Sequence, residues 1–164
     1  MFVVHGTKKF LDRVKSTPTT HDQPPTTALG NWDATVLFWK PQIALFVNER
    51  TLLPVLVPLA PAATVIDRFP GAAAAVFRAH NLDRLFVDRE VAAMAEHGLA
   101  KTTNRSVVGI MNEFAHLGGI YRSRGTHDLL TISLRLAQTP CGPLYGGQVS
   151  PDREVAAVAS RLSR

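Results

Sequence analysis

Between Trp32 and Val57 the chain alternates with a period of two. Trp32, Ala34, Val36 and Phe38 interleave with Asp33, Thr35, Leu37 and Trp39, and Ile43, Leu45 and Val47 share one side of the next run. Such alternation marks strands with two distinct faces. Three runs, 32–39, 42–48 and 52–57, are separated only by Lys40-Pro41 and by Glu49-Arg50-Thr51. Connections this short predict an antiparallel meander. Pro54 lacks an N–H for a ladder, so the third strand belongs at an edge or at a bulge. A further short strand is predicted over 2–5.

Elsewhere the apolar spacing lengthens to that of helices. Thr7 caps a segment over 8–15 with Phe10, Leu11 and Val14 inward. A helix over 62–69 is expected to stop at Pro70, and an alanine-rich segment continues over 71–80. Residues 82–87 suit a brief strand or a loop. Asp88 then caps 89–97, closed by Gly98. A longer helix starts at Thr103 or Asn104, buries Val107, Ile110, Met111 and Phe114, and is expected to end at Gly118-Gly119. A basic loop with Tyr121, Arg122 and Arg124 follows. Residues 128–137 read equally as a strand, from the alternation of Leu130, Ile132, Leu134 and Leu136, or as a helix capped by Asp128. Ser150 and Pro151 open a last helix ending near Leu162. Residues 16–30, rich in Thr and Pro, have no hydrophobic period and predict an exposed, mobile loop. The whole is expected to be one α+β domain over 1–164, a small antiparallel meander (32–57) plus the N-terminal strand packed against several helices.

Composition narrows the setting. At 164 residues, 46% hydrophobic and 19% charged, the chain can bury a full core and is not globally disordered. Cys141 is the single cysteine, so no internal disulfide forms. No leader-like segment opens the chain, and the longest apolar stretch, 52–63, is too short for a bilayer and holds three prolines. A cytoplasmic protein without a membrane partner is expected. A net charge of +5 and a pI near 9.9 favour polyanionic partners such as RNA or DNA.

The candidate chemistry concentrates at 101–112. Lys101, Thr103, Asn104, Arg105 and Ser106 crowd a helix start, where free N–H groups and the macrodipole favour an anion. Arg105, Gly109, Asn112 and His116 fall on one stripe opposite the apolar one. Gly109 costs the helix about 1 kcal/mol relative to Ala, which a close approach by a ligand or a second backbone would explain. The same residues also have plain structural uses, as caps, ion pairs or a helix contact. Asn48, with Glu49 beside it, suits a tight hairpin turn, and joins the ligand-binding set if that turn neighbours the helix start. In an enzyme, Arg105 would stabilise phosphate charge, with His116 or Glu49 as general acid or base.

Other signatures are missing. Glu113 and His116 have a metal-site spacing but no second pair, so no metal is expected. There is no phosphate-binding glycine loop, nucleophile elbow or zinc spacing, and no cofactor is expected. Cys141 has no base beside it and reads as packing. Trp32, Trp39 and Phe46 could stack bases on the sheet, yet meander aromatics are more often core, and the two tryptophans fall on opposite faces.

Four stretches carry a resemblance. Residues 25–32, Leu45-Phe46-Val47-Asn48-Glu49-Arg50-Thr51, Asn104-Arg105-Ser106-Val107-Val108-Gly109-Ile110-Met111-Asn112, and Thr139-Pro140-Cys141 together resemble a bacterial family of small uncharacterised proteins known only as a domain of unknown function. The third stretch is the most specific. The resemblance implies one domain and brings no catalytic residue with it. The leading expectation is a module that binds nucleic acid or another anion through 101–112. The alternatives are a small RNA- or nucleotide-acting enzyme such as the toxin of a toxin–antitoxin pair, and a protein-interaction partner, antitoxin or homo-oligomer.

Overall fold

The structure, a computed structural model, describes residues 1–18 and 23–163. Five strands, β1 (Phe2–Gly6), β2 (Trp32–Leu37), β3 (Ile43–Asn48), β4 (Pro54–Pro58) and β5 (His97–Lys101), form one sheet in the order β4-β3-β2-β1-β5. The short turns make β2, β3 and β4 the expected antiparallel meander, while β1 runs parallel to both β2 and β5. Pro54 and Pro58 lie on the edge strand β4, as a residue without an N–H requires.

Side-chain alternation sorts the sheet residues onto two covered faces. Phe2, Val4, Trp32, Ala34, Val36, Ala44, Phe46, Val55 and Val57 face one core. That core is closed by α1 (Lys8–Val14), α2 (Val65–Ala79), α3 (Arg84–Ala93) and α6 (Pro151–Leu162). Its centre is aromatic: Phe46 stacks on Phe69 at 4.1 Å between centroids, and Trp32 meets Phe69 edge-on at 4.9 Å. Each such pair adds about 0.5–1.5 kcal/mol beyond the area it buries. Leu37, Ile43, Leu45, Val47 and Leu56 face the other core, under α4 (Arg105–Ser123) and α5 (Leu129–Leu136). The fold is therefore α+β, one mixed sheet between helical layers.

Several expected boundaries shift, each for a tertiary reason. Asp83, not Asp88, caps α3, its Oδ2 accepting from the Phe86 N–H at 3.1 Å. Residues 97–101, expected as a helix end, Gly98 and a connector, instead form β5. The strand pairs with β1 from Phe2↔His97 to Gly6↔Lys101, and that long-range ladder leaves no local signal. Helix α2 runs unbroken through Pro70, because burying Phe69, Ala73, Val76 and Phe77 outweighs one missing backbone bond. Helix α4 continues through Gly118-Gly119 to Ser123; a Cβ on Gly118 would lie 2.9 Å from Cη2 of Trp39, so the glycine admits that ring. Arg122 then lies over the same indole, 4.6 Å from its centroid. Residues 129–136 are helical, with Asp128 accepting from the Thr131 N–H at 2.9 Å and Ile132 and Leu136 buried. Of the loop expected over 16–30, residues 19–22 lie outside the described residues, and 26–30 are docked on the domain rather than exposed throughout: Thr27 and Leu29 are buried. No helix among the described residues is long and apolar enough to cross a membrane.

Candidate functional site

Two clusters of polar residues stand out, and they are built differently. The first is the corner where β3 turns into β4. Asn48 is fully buried; its Nδ2 donates to the carbonyls of Leu29 (3.0 Å) and Asn31 (3.2 Å). Its Oδ1 accepts from the N–H groups of Arg50 and Thr51 and from the Thr51 hydroxyl. Glu49 Oε1 accepts from the Asn31 N–H at 2.8 Å. Gly30 is required there by its φ of +78°, and a Cβ, 2.7 Å from Glu49 Oε1, would also push that carboxylate aside. From the other side the buried Glu90 accepts from the N–H groups of Ala28 (2.7 Å) and Leu29 (3.2 Å). Burial pushes the Glu90 carboxyl above its ordinary range, and the two backbone bonds and the amino terminus only partly offset it. This corner is a clamp that fixes the 26–31 segment.

The second cluster lies at the carboxyl ends of the parallel strands. β1 leads into α1, whose Phe10 and Val14 enter one core; its neighbour β5 leads into α4, whose Val107, Ile110, Met111 and Phe114 enter the opposite core. Adjacent parallel strands whose following helices leave to opposite faces open a crevice between them, the place where open α/β sheets hold ligands. Here the crevice is basic. A hollow of ≈ 500 Å³ is lined by Lys8, Lys15 and Lys101, with Asp12 among them. Arg105 opens α4, whose first turn holds no acid. Among the described residues the ion pairs are His5–Asp33 and Arg84–Asp88, so within those residues none of these cations has a carboxylate partner.

On the α4 side of the same crevice β1 and β2 carry a polar strip. Asp33 is only 2% exposed, and its Oδ2 accepts from the Thr102 hydroxyl at 2.5 Å. His5, 27% exposed, places Nδ1 3.8 Å from Asp33 Oδ1. Thr7 donates from its hydroxyl to Thr35 Oγ1 at 2.9 Å, and its own Oγ1 accepts from the Phe10 N–H. Burial holds the Asp33 carboxyl above the ordinary carboxylate range; the Thr102 bond and His5 pull it down, and Glu49 pushes it up again. At 3.8 Å the partly exposed imidazole and the buried carboxyl group are in ion-pair range without a hydrogen bond between them.

The residues singled out at 101–112 lie at this crevice. Lys101, Thr103, Asn104, Arg105, Ser106 and Asn112 are exposed, as are Gly109 and His116 along the same stripe. Asn104 also caps α4, accepting from the Val107 N–H at 3.2 Å. Among the described residues nothing lies within 4 Å of a Cβ added to Gly109, so none of them explains that glycine. Arg105, His116 and Glu49 do not gather. His116 lies roughly 16 Å farther along α4 at 1.5 Å per residue. Glu49 is held beside Asn31, and its neighbour Asn48 pairs with Trp32 at the start of β2, whereas α4 follows Lys101 beyond the end of β5. His5, Asp33, Thr35 and Thr102 escape sequence reading, although an acid and a hydroxyl inside a run of β-formers were a signal. Trp32 and Phe46 are fully buried and present no stacking surface. Cys141 is buried, and its thiol is pushed up to about 11 by burial and by the charge of Glu113. Among the described residues no group of three or more His, Cys, Asp and Glu could hold a metal ion.

The chain belongs to a family described as a domain of unknown function, DUF6933, whose model matches residues 3–154. No curated protein and no solved structure matches it.

Proposed function

We propose that the protein is a binding module for a phosphate-bearing ligand, of which RNA is the first to test, held at the carboxyl ends of β1 and β5. The observation that supports this reading is the gathering of cations at the crevice, without a carboxylate partner among the described residues. A helix start is stabilised by acids, as at α6, whose first turn carries Asp152 and Glu154. At the crevice α4 instead begins with Arg105, four residues after Lys101, which lines the basic hollow together with Lys8 and Lys15. Cations against a positive helix end repel it, and an anion between them relieves both. The basic balance and lone cysteine fit a bacterial cytoplasm, where nucleic acids are abundant.

Fluorescence anisotropy of a labelled single-stranded RNA tests the reading. Affinity is expected to fall steeply with salt, and Arg105→Ala to weaken it roughly ten-fold and flatten the salt slope by about one. Binding indifferent to both salt and Arg105 overturns it.

A second reading, an enzyme acting on RNA or a nucleotide in the manner of a toxin, is favoured by the His5–Asp33 pair. In it His5, beside Asp33, moves the proton, and Arg105 meets the phosphate. It expects RNA cleavage and growth arrest that His5→Gln abolishes while Arg105-dependent binding persists. Intact RNA after prolonged incubation rules it out.

A further inference from the structure

A second hollow, of ≈ 170 Å³, lies at the end of β2 and is lined by residues that include Lys9, Thr35, Phe38, Met111 and Asn112. Ligand pockets for whole small molecules run about 300–1,000 Å³, so this one has room for a single ring system. Its rim holds Phe38, 61% exposed just beyond the end of β2, with Lys9 Nζ 5.5 Å from the ring centroid. The neighbouring Trp39 packs against Gly118 under Arg122, while the Phe38 ring stays largely in water. Leu37 and Met111 make part of the lining apolar, and two polar residues also line the hollow. Asn112 presents an exposed amide with a donor and an acceptor side by side, and Thr35, which already accepts from Thr7, has its own hydroxyl proton to give.

We propose that this hollow takes a nucleobase. The base stacks on Phe38, the Asn112 amide pairs with an adjacent donor and acceptor on the base edge, and Thr35 supplies a further donor. The hollow is too small for the sugar and phosphate, which remain outside it among Lys9, Lys8 and Arg105. This rests on the anion reading above and narrows its ligand to nucleotides, free or within a single strand.

The test compares a labelled single-stranded RNA with an oligonucleotide of equal length whose residues are abasic, against wild type, Phe38→Ala, Asn112→Ala and Arg105→Ala, with adenosine and cytidine monophosphates as competitors. The exposed Phe38 makes its variant safe for folding, and thermal melts verify this. Wild type is expected to bind the intact strand about ten-fold more tightly than the abasic one, the scale of one stacked base. Phe38→Ala should erase that ratio, Asn112→Ala should reduce it, and Arg105→Ala should weaken both ligands and keep it. Competition by a monophosphate assigns the site to free nucleotides; its absence assigns it to strands. Equal binding of intact and abasic strands, still sensitive to Arg105→Ala, overturns the nucleobase site and leaves the anion site standing. If neither strand binds, both readings fall. A wild-type dimer that Phe38→Ala dissociates, with RNA affinity unchanged, makes Phe38 a protein contact and overturns the proposal.

Discussion

The corner around Asn48 and the start of α4 around Asn104 are both polar, both lie in distinctive stretches of the sequence, and both contain an Asn followed by charged residues. They differ in what their polar atoms meet. Every hydrogen-bonding atom of the Asn48 amide group is engaged by the protein itself, and the side chain is fully buried. Around Asn104 one oxygen caps the helix while Lys101, Arg105, Ser106 and Asn112 project into solvent. A polar residue fully engaged inside the chain explains itself by folding. One left exposed at a crevice keeps its polar atoms free to meet a ligand, as in the binding reading proposed above.

That contrast can be broken first by stability. Asn48→Ala removes the amide and strands the Leu29 carbonyl and the N–H groups of Arg50 and Thr51, so it is expected to cost roughly 3 kcal/mol, about 6–12 °C in Tm. Thermal or urea denaturation measures it; a loss as small as that of an exposed residue would dissolve the distinction between the two regions.

Asp33→Asn sharpens the contrast from the crevice side. The folded protein holds the Asp33 carboxyl above its ordinary range, so it binds that proton more tightly than the unfolded chain does. The group therefore favours folding below that range, and the contribution is lost as pH rises through the raised value. At pH 7 the neutral amide is expected to stabilise the protein by about 1 kcal/mol, and the gain should shrink as pH is lowered towards 4. Urea titrations at several pH values follow it, and a pH-independent difference would mean that Asp33 is as settled as Asn48.

Gly109→Ala gives the smallest effect. With only open space around the new Cβ, the free protein should gain about 0.5–1 kcal/mol, near 2 °C in Tm. A lower Tm would show that the glycine already serves the fold and that this helix face has no vacancy for a ligand.

The sequence made the meander, an edge or bulge place for β4, the cap at Thr7, a helix start at Thr103 or Asn104 and the last helix legible, because period-two runs, short turns and capping residues are local signals. It concealed β5, because His97–Lys101 becomes a strand only through pairing with β1, more than ninety residues earlier. Pro70 and Gly118 read as stops because their intrinsic cost is visible in the sequence, while the Phe69 and Trp39 packing that overrides it is not. The same blindness hid half of the crevice. Arg105 and Asn112 show as a helical stripe, but His5, Asp33 and Thr102 sit on three different strands or strand ends and meet only once the sheet is ordered.

The seating of Trp39 against Gly118 has an optical consequence. The chain holds two tryptophans, and Trp32 is sealed in the aromatic core, so its emission is fixed by its neighbours. Trp39 is half-buried and lines the small hollow, with a guanidinium across its face. Anything that enters the hollow changes the surroundings of that one indole, so the unlabelled protein carries its own fluorescent reporter for the crevice.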